Sequence, residues 1–344
     1  MSASPKPFSP SELAAWFWPL LGGIRREGEA FTIGTQSFVM ERGIPRERSV
    51  HSSAQAQTEQ AFGFKWKKRD TFDSPASRAR MRAWLNERYG EILENGWIEG
   101  MRSPLVLDAG CGAGWSGLEY FAPVLERIRY LGVDISVAVD VALERLAERG
   151  MTGGFLQADL GSLPFAPESV DIVFSEGVLH HTDSTARSFA ALAPLLRPGG
   201  LFMFYVYRRK GPLREFTDDY VRARLQSMTP EEAWRAMEPL TRLGIELGRM
   251  NATIEIPEAI DLLGVPAGRM DLQRFFYWHV AKAFFRPDMT FDEMNHINYD
   301  WYAPRNAHRH TEEEVRAWCA QAGLDVVRER IEEAGITIVG RRPA

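Results

Sequence analysis

A short strand that runs into a run of glycines constrains this chain more than any other feature. Val106-Leu107-Asp108-Ala109-Gly110-Cys111-Gly112-Ala113-Gly114-Trp115 reads as a buried strand ending in an acid, then a Gly-x-Gly-x-Gly turn, then the start of a helix. Glycines there let the backbone turn tightly and approach a ligand with no Cβ in the way. A dinucleotide fingerprint needs its third glycine three positions after the second, where Trp115 stands. A P-loop needs Gly-Lys-Ser/Thr, and no lysine is present. Taken alone, the turn could be a packing device or could serve several nucleotide-like ligands.

The flanking texture narrows the choice. Apolar runs at Leu105–Leu107, Tyr130–Val133, Gly154–Leu156, Val170–Phe174 and Leu201–Val206 alternate with helical patterns at about Gly117–Ile128, Val137–Arg149 and Ser184–Leu196. Strands and helices alternating at this spacing predict parallel βαβ units joined by right-handed crossovers. Near the end, Thr311-x-x-Glu314 is a capping box, and its helix stops at Gly323. Leu324–Arg330 and Ile336–Gly340 then flank a turn at Glu332–Gly335. The expected fold is α/β: a Rossmann-like, seven-stranded, doubly wound sheet of five parallel strands plus a C-terminal antiparallel hairpin. A large helical cap is inserted after strand 5. It covers Arg208–His310, where Thr229-Pro230-Glu231-Glu232 forms a second capping box and Arg214, Asp218 and Arg222 form an i,i+4 ladder expected to be solvated.

The leading residues are less regular. Phe31–Gly43 reads as a strand pair, Arg46–Gln60 as an exposed polar linker, Phe62–Trp66 as an aromatic cluster, and Ser77 to about Leu93 as a helix. The expected division is 1–103 as leader and lid, 104–207 as core, 208–310 as cap and 311–344 as core completion. Leu13–Leu21, broken by Pro19, is too short to span a bilayer, so it predicts a buried or interfacial helix and no stable membrane insertion. Composition then excludes whole classes. With 45% hydrophobic and 11% aromatic residues the chain is not disordered, and a net charge of −5 argues against a nucleic-acid partner. Cys111 and Cys319 match no ligand spacing, which predicts no metal, no disulfide framework and a reducing, cytoplasmic setting.

Further acids fall where open α/β sheets bind ligands, at the carboxyl ends of strands. Asp134 closes Tyr130-Leu131-Gly132-Val133-Asp134, 24 residues after Gly110, and suits the hydroxyls of a ribose. Asp159 follows the third strand, in a position to accept from an exocyclic amine. Val170–Glu176 leads into Gly177-Val178-Leu179-His180-His181.

With these motifs, and with Leu196-Arg197-Pro198-Gly199-Gly200 before the fifth strand, the chain resembles the class I S-adenosylmethionine-dependent methyltransferases. It is similar in particular to the methyltransferase type 11 group, which includes ubiquinone/menaquinone C-methyltransferase-like enzymes. The likeness covers Pro104–Val206 and Thr311–Arg342. It implies S-adenosyl-L-methionine as cofactor. Gly110, Gly112 and Gly114, with Ala109, would line its methionine portion, and Asp108 would face its amino group. Asp134 and Ile135 would take the ribose, Asp159 and Leu160 the adenine, and Ser175, Glu176 and Gly177 would form the wall near the sulfonium. The Phe31–Arg46 stretch also weakly resembles a Trm112-like module whose zinc cysteines are absent here.

Methyl transfer is an in-line displacement in which alignment alone can remove several kcal/mol of barrier, at most about 11. An oxygen or carbon nucleophile must still lose a proton, which makes His180 and His181 candidate bases. The sheet spends its motifs on the cofactor, so a small-molecule acceptor is expected under the cap. Trp66, Tyr207, Arg214, Tyr299, Trp301 and Tyr302 are the candidate contacts, the last three in a stretch that reads as a loop. A homodimer is admitted but not required. The alternatives are a non-catalytic cofactor-binding scaffold and a methyltransferase acting on RNA or protein. A nicotinamide oxidoreductase is disfavoured by Asp108 and Trp115.

Overall fold

The computed structural model describes residues 13–22, 25–27, 30–49 and 51–344. A short helix, α1 (Phe17–Leu20), puts Phe17 and the following Leu21 fully into the core, as a buried run should. Four short strands follow: β1 (Arg25–Glu27), β2 (Ala30–Ile33), β3 (Gln36–Glu41) and β4 (Ile44–Glu47), paired as an antiparallel meander. Then come α2 (Ser53–Trp66) and α3 (Pro75–Tyr89), each N-capped by a serine, Ser52 and Ser74.

The central sheet is built from β5 (Leu105–Ala109), β6 (Arg129–Asp134), β7 (Gly154–Gln157), β8 (Val170–Glu176) and β9 (Leu196–Tyr207), all parallel. Helices α4 (Trp115–Tyr120), α5 (Ala138–Ala147) and α6 (Thr185–Leu192) connect them. Every residue of β5 is buried, as a strand covered on both faces must be.

After β9 come α7 (Pro212–Leu225), α8 (Pro230–Arg249), a hairpin of β10 (Thr253–Ile256) with β11 (Gly268–Asp271), α9 (Leu272–His279) and α10 (Phe291–Tyr302). The chain returns through α11 (Glu312–Gln321) to the antiparallel pair β12 (Asp325–Ile331) and β13 (Gly335–Arg341). Strand order is β1-β2-β3-β4-β7-β6-β5-β8-β9-β13-β12. The expected seven-stranded sheet is therefore present, and the meander extends it to eleven.

Three sequence expectations are corrected. The polar stretch from Arg46 is not an exposed linker. Arg46 is buried, pairs with Asp140 at 2.6 Å and bridges β4 to β7 opposite Gln157. The helix after it is held by polar contacts, which apolar periodicity cannot reveal: Gln57 donates to the Ala303 carbonyl, and Thr58 Oγ1 accepts from the Asn306 amide. Tyr299–Trp301–Tyr302 lie in a helix, not a loop, started by a Thr290/Glu293 capping box. Its inner face carries Asn295, His296 and Asn298, and Asn295 and Asn298 reach Thr241 of α8. The ladder on α7 is not solvated. Arg214, Asp218 and Arg222 are buried, and it is Phe216 and Tyr220 that face out, 69% and 59% exposed. The amphipathic face of α7 is thus inverted, because Asp218 satisfies both Arg214 and the Trp301 indole.

Candidate active site

The glycine turn is shaped by what surrounds it. The amides of Gly110 and Cys111 both donate to the Val133 carbonyl, at 2.8 and 2.9 Å, so the end of β6 folds the turn over itself. Gly110 has φ +84°, and a Cβ there would stand 2.1 Å from the Val178 side chain. Gly112 has φ +50°, and a Cβ there would stand 2.7 Å from Trp66 Nε1. Its amide donates to Asp134 Oδ2 at 2.7 Å, and Asp134 Oδ1 accepts from the Ser136 amide and hydroxyl. Asp108, at the end of β5, accepts from the Tyr130 hydroxyl, and burial pushes its carboxyl up to about 7. Asp159 caps a short turn by accepting from the Gly161 amide at 2.8 Å. Glu176 accepts from Arg88 and from the Tyr89 hydroxyl, both on α3.

These residues face a cavity of about 580 Å³, within the usual size of small-molecule sites. Of the cofactor candidates, Asp108, Gly110, Asp134, Ile135, Asp159, Leu160, Glu176 and Gly177 line it. Ala109, Gly112, Gly114 and Ser175 do not. Ser175 Oγ donates to the Ala109 carbonyl behind the turn, and Gly114 starts α4 against Leu118. Of the acceptor candidates, Trp66, Tyr207, Arg214 and Trp301 line the cavity. Tyr299 packs instead between Phe64 and Trp234, and the Tyr302 hydroxyl accepts from the Lys282 amide at 2.7 Å.

The two histidines differ. His181 lines the cavity, and its Nδ1 lies 2.6 Å from the Asn306 carbonyl. A carbonyl can only accept, so the proton is on Nδ1 and Nε2 carries the lone pair. Burial lowers its pKa to about 4. His180 sits behind it, stacked on Tyr207 with ring centroids 3.6 Å apart, and does not line the cavity. Burial pushes it well below the ordinary histidine range.

Residues 107–204 match the methyltransferase domain family. The uncharacterized methyltransferase YcgJ of Bacillus subtilis is 31% identical over 172 residues, 48% of this chain and 67% of its own length. The chain belongs to the class I S-adenosylmethionine-dependent methyltransferases. Its cofactor is S-adenosylmethionine. The methyltransferase is also similar to the phthiotriol/phenolphthiotriol dimycocerosates methyltransferase 1 of Mycobacterium ulcerans, 28% identical over 37% of this chain and 46% of that one. Among solved structures it is similar to the 1,6-didemethyltoxoflavin-N1-methyltransferase of Burkholderia thailandensis, with 16% identity, coverage of 92% and 100%, and a TM-score of 0.44. The chain spans 26% to 67% of the length of the first curated relatives it matches.

Several residues of the methyltransferase's cavity escaped the sequence reading. Lys65 of α2 reaches Asp300 of α10 in a part-buried ion pair, which against the effect of burial holds the Asp300 carboxyl well below the usual range. Arg88 reaches Glu176 and stacks on the Tyr205 ring, 3.6 Å from its centroid. Lys282, between α9 and α10, lies 4.4 Å from the centroid of the Trp301 ring. These contacts join distant segments, so no local pattern announces them. One signal was available: Lys282 stands alone in Ala281-Lys282-Ala283-Phe284-Phe285, and a lone lysine in an apolar run marks a buried cation.

Proposed function

We propose that this methyltransferase acts on a small molecule held between the glycine turn and the helices that follow β9. The observation that supports this is continuity. One cavity is lined both by Asp134 and Asp159 and by Tyr207, Tyr277 and Trp301. A cavity of this volume suits a small molecule.

The floor fits the cofactor. At Gly110 an added Cβ would stand 2.1 Å from the Val178 side chain at φ +84°, so only a glycine fits the turn that borders the cavity there. Gly110, with Asp108, would hold the methionine portion, while Ala109, Gly112, Gly114 and Ser175 would shape the turn from behind. Asp134 and Ile135 would take the ribose and Asp159 and Leu160 the adenine, with Glu176 and Gly177 as inner wall. When bound, S-adenosylmethionine supplies an electrophilic methyl group on a sulfonium. The acids at the strand ends give that end of the cavity the negative potential a cationic ligand favours.

The chain's own task is to align the acceptor and exclude water. Trp66, Tyr207, Arg214 and Trp301 would contact it, and Tyr299 and Tyr302 would fix α10, which carries Trp301. Of the two histidines, His181 would accept a hydrogen bond from the acceptor at Nε2 and take its proton, with His180 packed behind it. Cys111 and Cys319 are both buried free thiols, which suits a reducing cytoplasm.

The test is His181→Gln, assayed with labelled S-adenosylmethionine and a metabolite extract as acceptor source. Turnover should fall about 100-fold while affinity for S-adenosylhomocysteine stays within about threefold. Unchanged turnover removes His181 from the chemistry. Cofactor binding with no product from any acceptor favours a scaffold role.

A further inference from the structure

The roof of the cavity holds more positive charge than its carboxylates can match. Three cations surround the Trp301 indole. Lys282 Nζ lies 4.4 Å, Arg214 Cζ 5.4 Å and Lys210 Nζ 5.6 Å from the centroid of its ring. Three acids stand nearby, and each is committed. Asp218 accepts from Arg214 Nε at 2.8 Å and from Trp301 Nε1 at 2.9 Å. Asp300 is paired with Lys65. Glu215 accepts from the Lys210 amide, but its other oxygen holds Arg309.

That leaves the two lysines. Lys210 Nζ donates to the carbonyls of Arg208 and Ala334, and no carboxylate among the described residues lies within ion-pair distance of it. Lys282 is 8% exposed and lines the cavity, and its ammonium has no hydrogen-bond or ion-pair partner among the described residues. Around it lie the indole face and, beyond ion-pair distance, the carboxylates of Asp300 and Asp218, which Lys65 and Arg214 already engage. Drawing an ammonium away from water is costly where no carboxylate replaces the lost hydration, and burial lowers both lysines to about 7. A cation–π contact returns only part of that cost. A ligand that brings a negative charge to Lys282 would supply the missing partner and hold both lysines protonated.

We propose that the acceptor carries an anionic group, a carboxylate or a phosphate ester, seated on Lys282 and Lys210 beside Trp301. This builds on the roof half of the cavity taking a small-molecule acceptor, as proposed above. It adds a substrate class: the anion is the anchor that positions the acceptor against the cofactor half. A roof evolved only for packing would place a methionine or leucine at 282, since an aliphatic side chain fills similar volume without the desolvation cost.

The experiment is calorimetry on the full chain saturated with S-adenosylhomocysteine. Benzoate and phenyl phosphate serve as anionic probes, and benzamide and benzyl alcohol as neutral ones. At least one anion should bind about tenfold tighter than the neutral probes, and the arm that binds tells carboxylate from phosphate. Lys282→Gln should weaken that anion about tenfold and leave the neutral probes unchanged, whereas Lys282→Arg should retain it. Lys210→Gln, at a separate position, should weaken it in the same direction. Equal binding of neutral and anionic probes overturns the proposal. So does anion binding indifferent to Lys282→Gln, or no anion binding at all while S-adenosylhomocysteine is bound. Failure of S-adenosylhomocysteine itself to bind the wild-type chain would instead count against the cofactor site described above.

Discussion

On the floor of the cavity, Asp108, Asp134 and Asp159 stand at the ends of three neighbouring parallel strands, and each is held by groups within a few residues of a strand end. On the roof, Lys210 and Arg214 from the start of α7 and Lys282 from the segment before α10 gather round Trp301, held by carbonyls, one aspartate and the indole itself. The floor is acidic and set by backbone register. The roof is basic at its far end and set by side-chain packing between helices. Backbone register tolerates little variation, whereas packed side chains can be exchanged one at a time. A scaffold built this way can keep its cofactor while its acceptor changes.

The largest expected effect tests the joint between the two. Arg88 on α3 pairs with Glu176 of the floor and lies over Tyr205 on the roof side, with both partners of the ion pair almost fully buried. Arg88→Met would strand the Glu176 charge and should destabilise the fold by about 3–5 kcal/mol in urea titration. A loss below about 1 kcal/mol would mean that floor and roof are not joined there.

The next effect is confined to the floor. Gly110→Val places a side chain at φ +84° against Val178 and should weaken S-adenosylhomocysteine binding roughly 100-fold by calorimetry, because both backbone and space forbid it. Near-native affinity would break the claim that the turn tolerates no variation.

The smallest effect reads the pH response of the pocket. His181 and His296 both line the cavity, and burial lowers them from 6.5 to about 4 and about 3. The unfolded chain therefore binds protons below about 6.5 that the folded chain refuses until much lower pH. Their contribution is full above 6.5 and is lost as pH falls through that window. His181→Gln should reduce proton uptake on unfolding at pH 5 by about one proton, measured by the pH slope of stability. An unchanged slope would show that His181 is protonated in the folded state.

Legibility followed the same division. The five parallel strands, the glycine turn and the closing hairpin could be read because each rests on a short run of apolar residues punctuated by glycine or an acid. The burial of α2 could not, because its inner face is Gln55, Thr58 and Lys65, polar residues matched to partners far along the chain. The same is true of α10. Its Asn295, His296 and Asn298 look like loop residues until Thr241 and Thr71 are brought to them.

By itself, then, the sequence determined the sheet, its turn and the cofactor that its resemblance implies, since short apolar runs and glycine backbone freedom are local properties of a chain. Only the tertiary structure decided that the leading meander joins the sheet edge, that α7 buries its charges and exposes its aromatics, and that Lys282 meets Trp301 in the cavity wall. Those outcomes depend on which distant groups satisfy a buried charge, and that pairing is fixed when the helices pack.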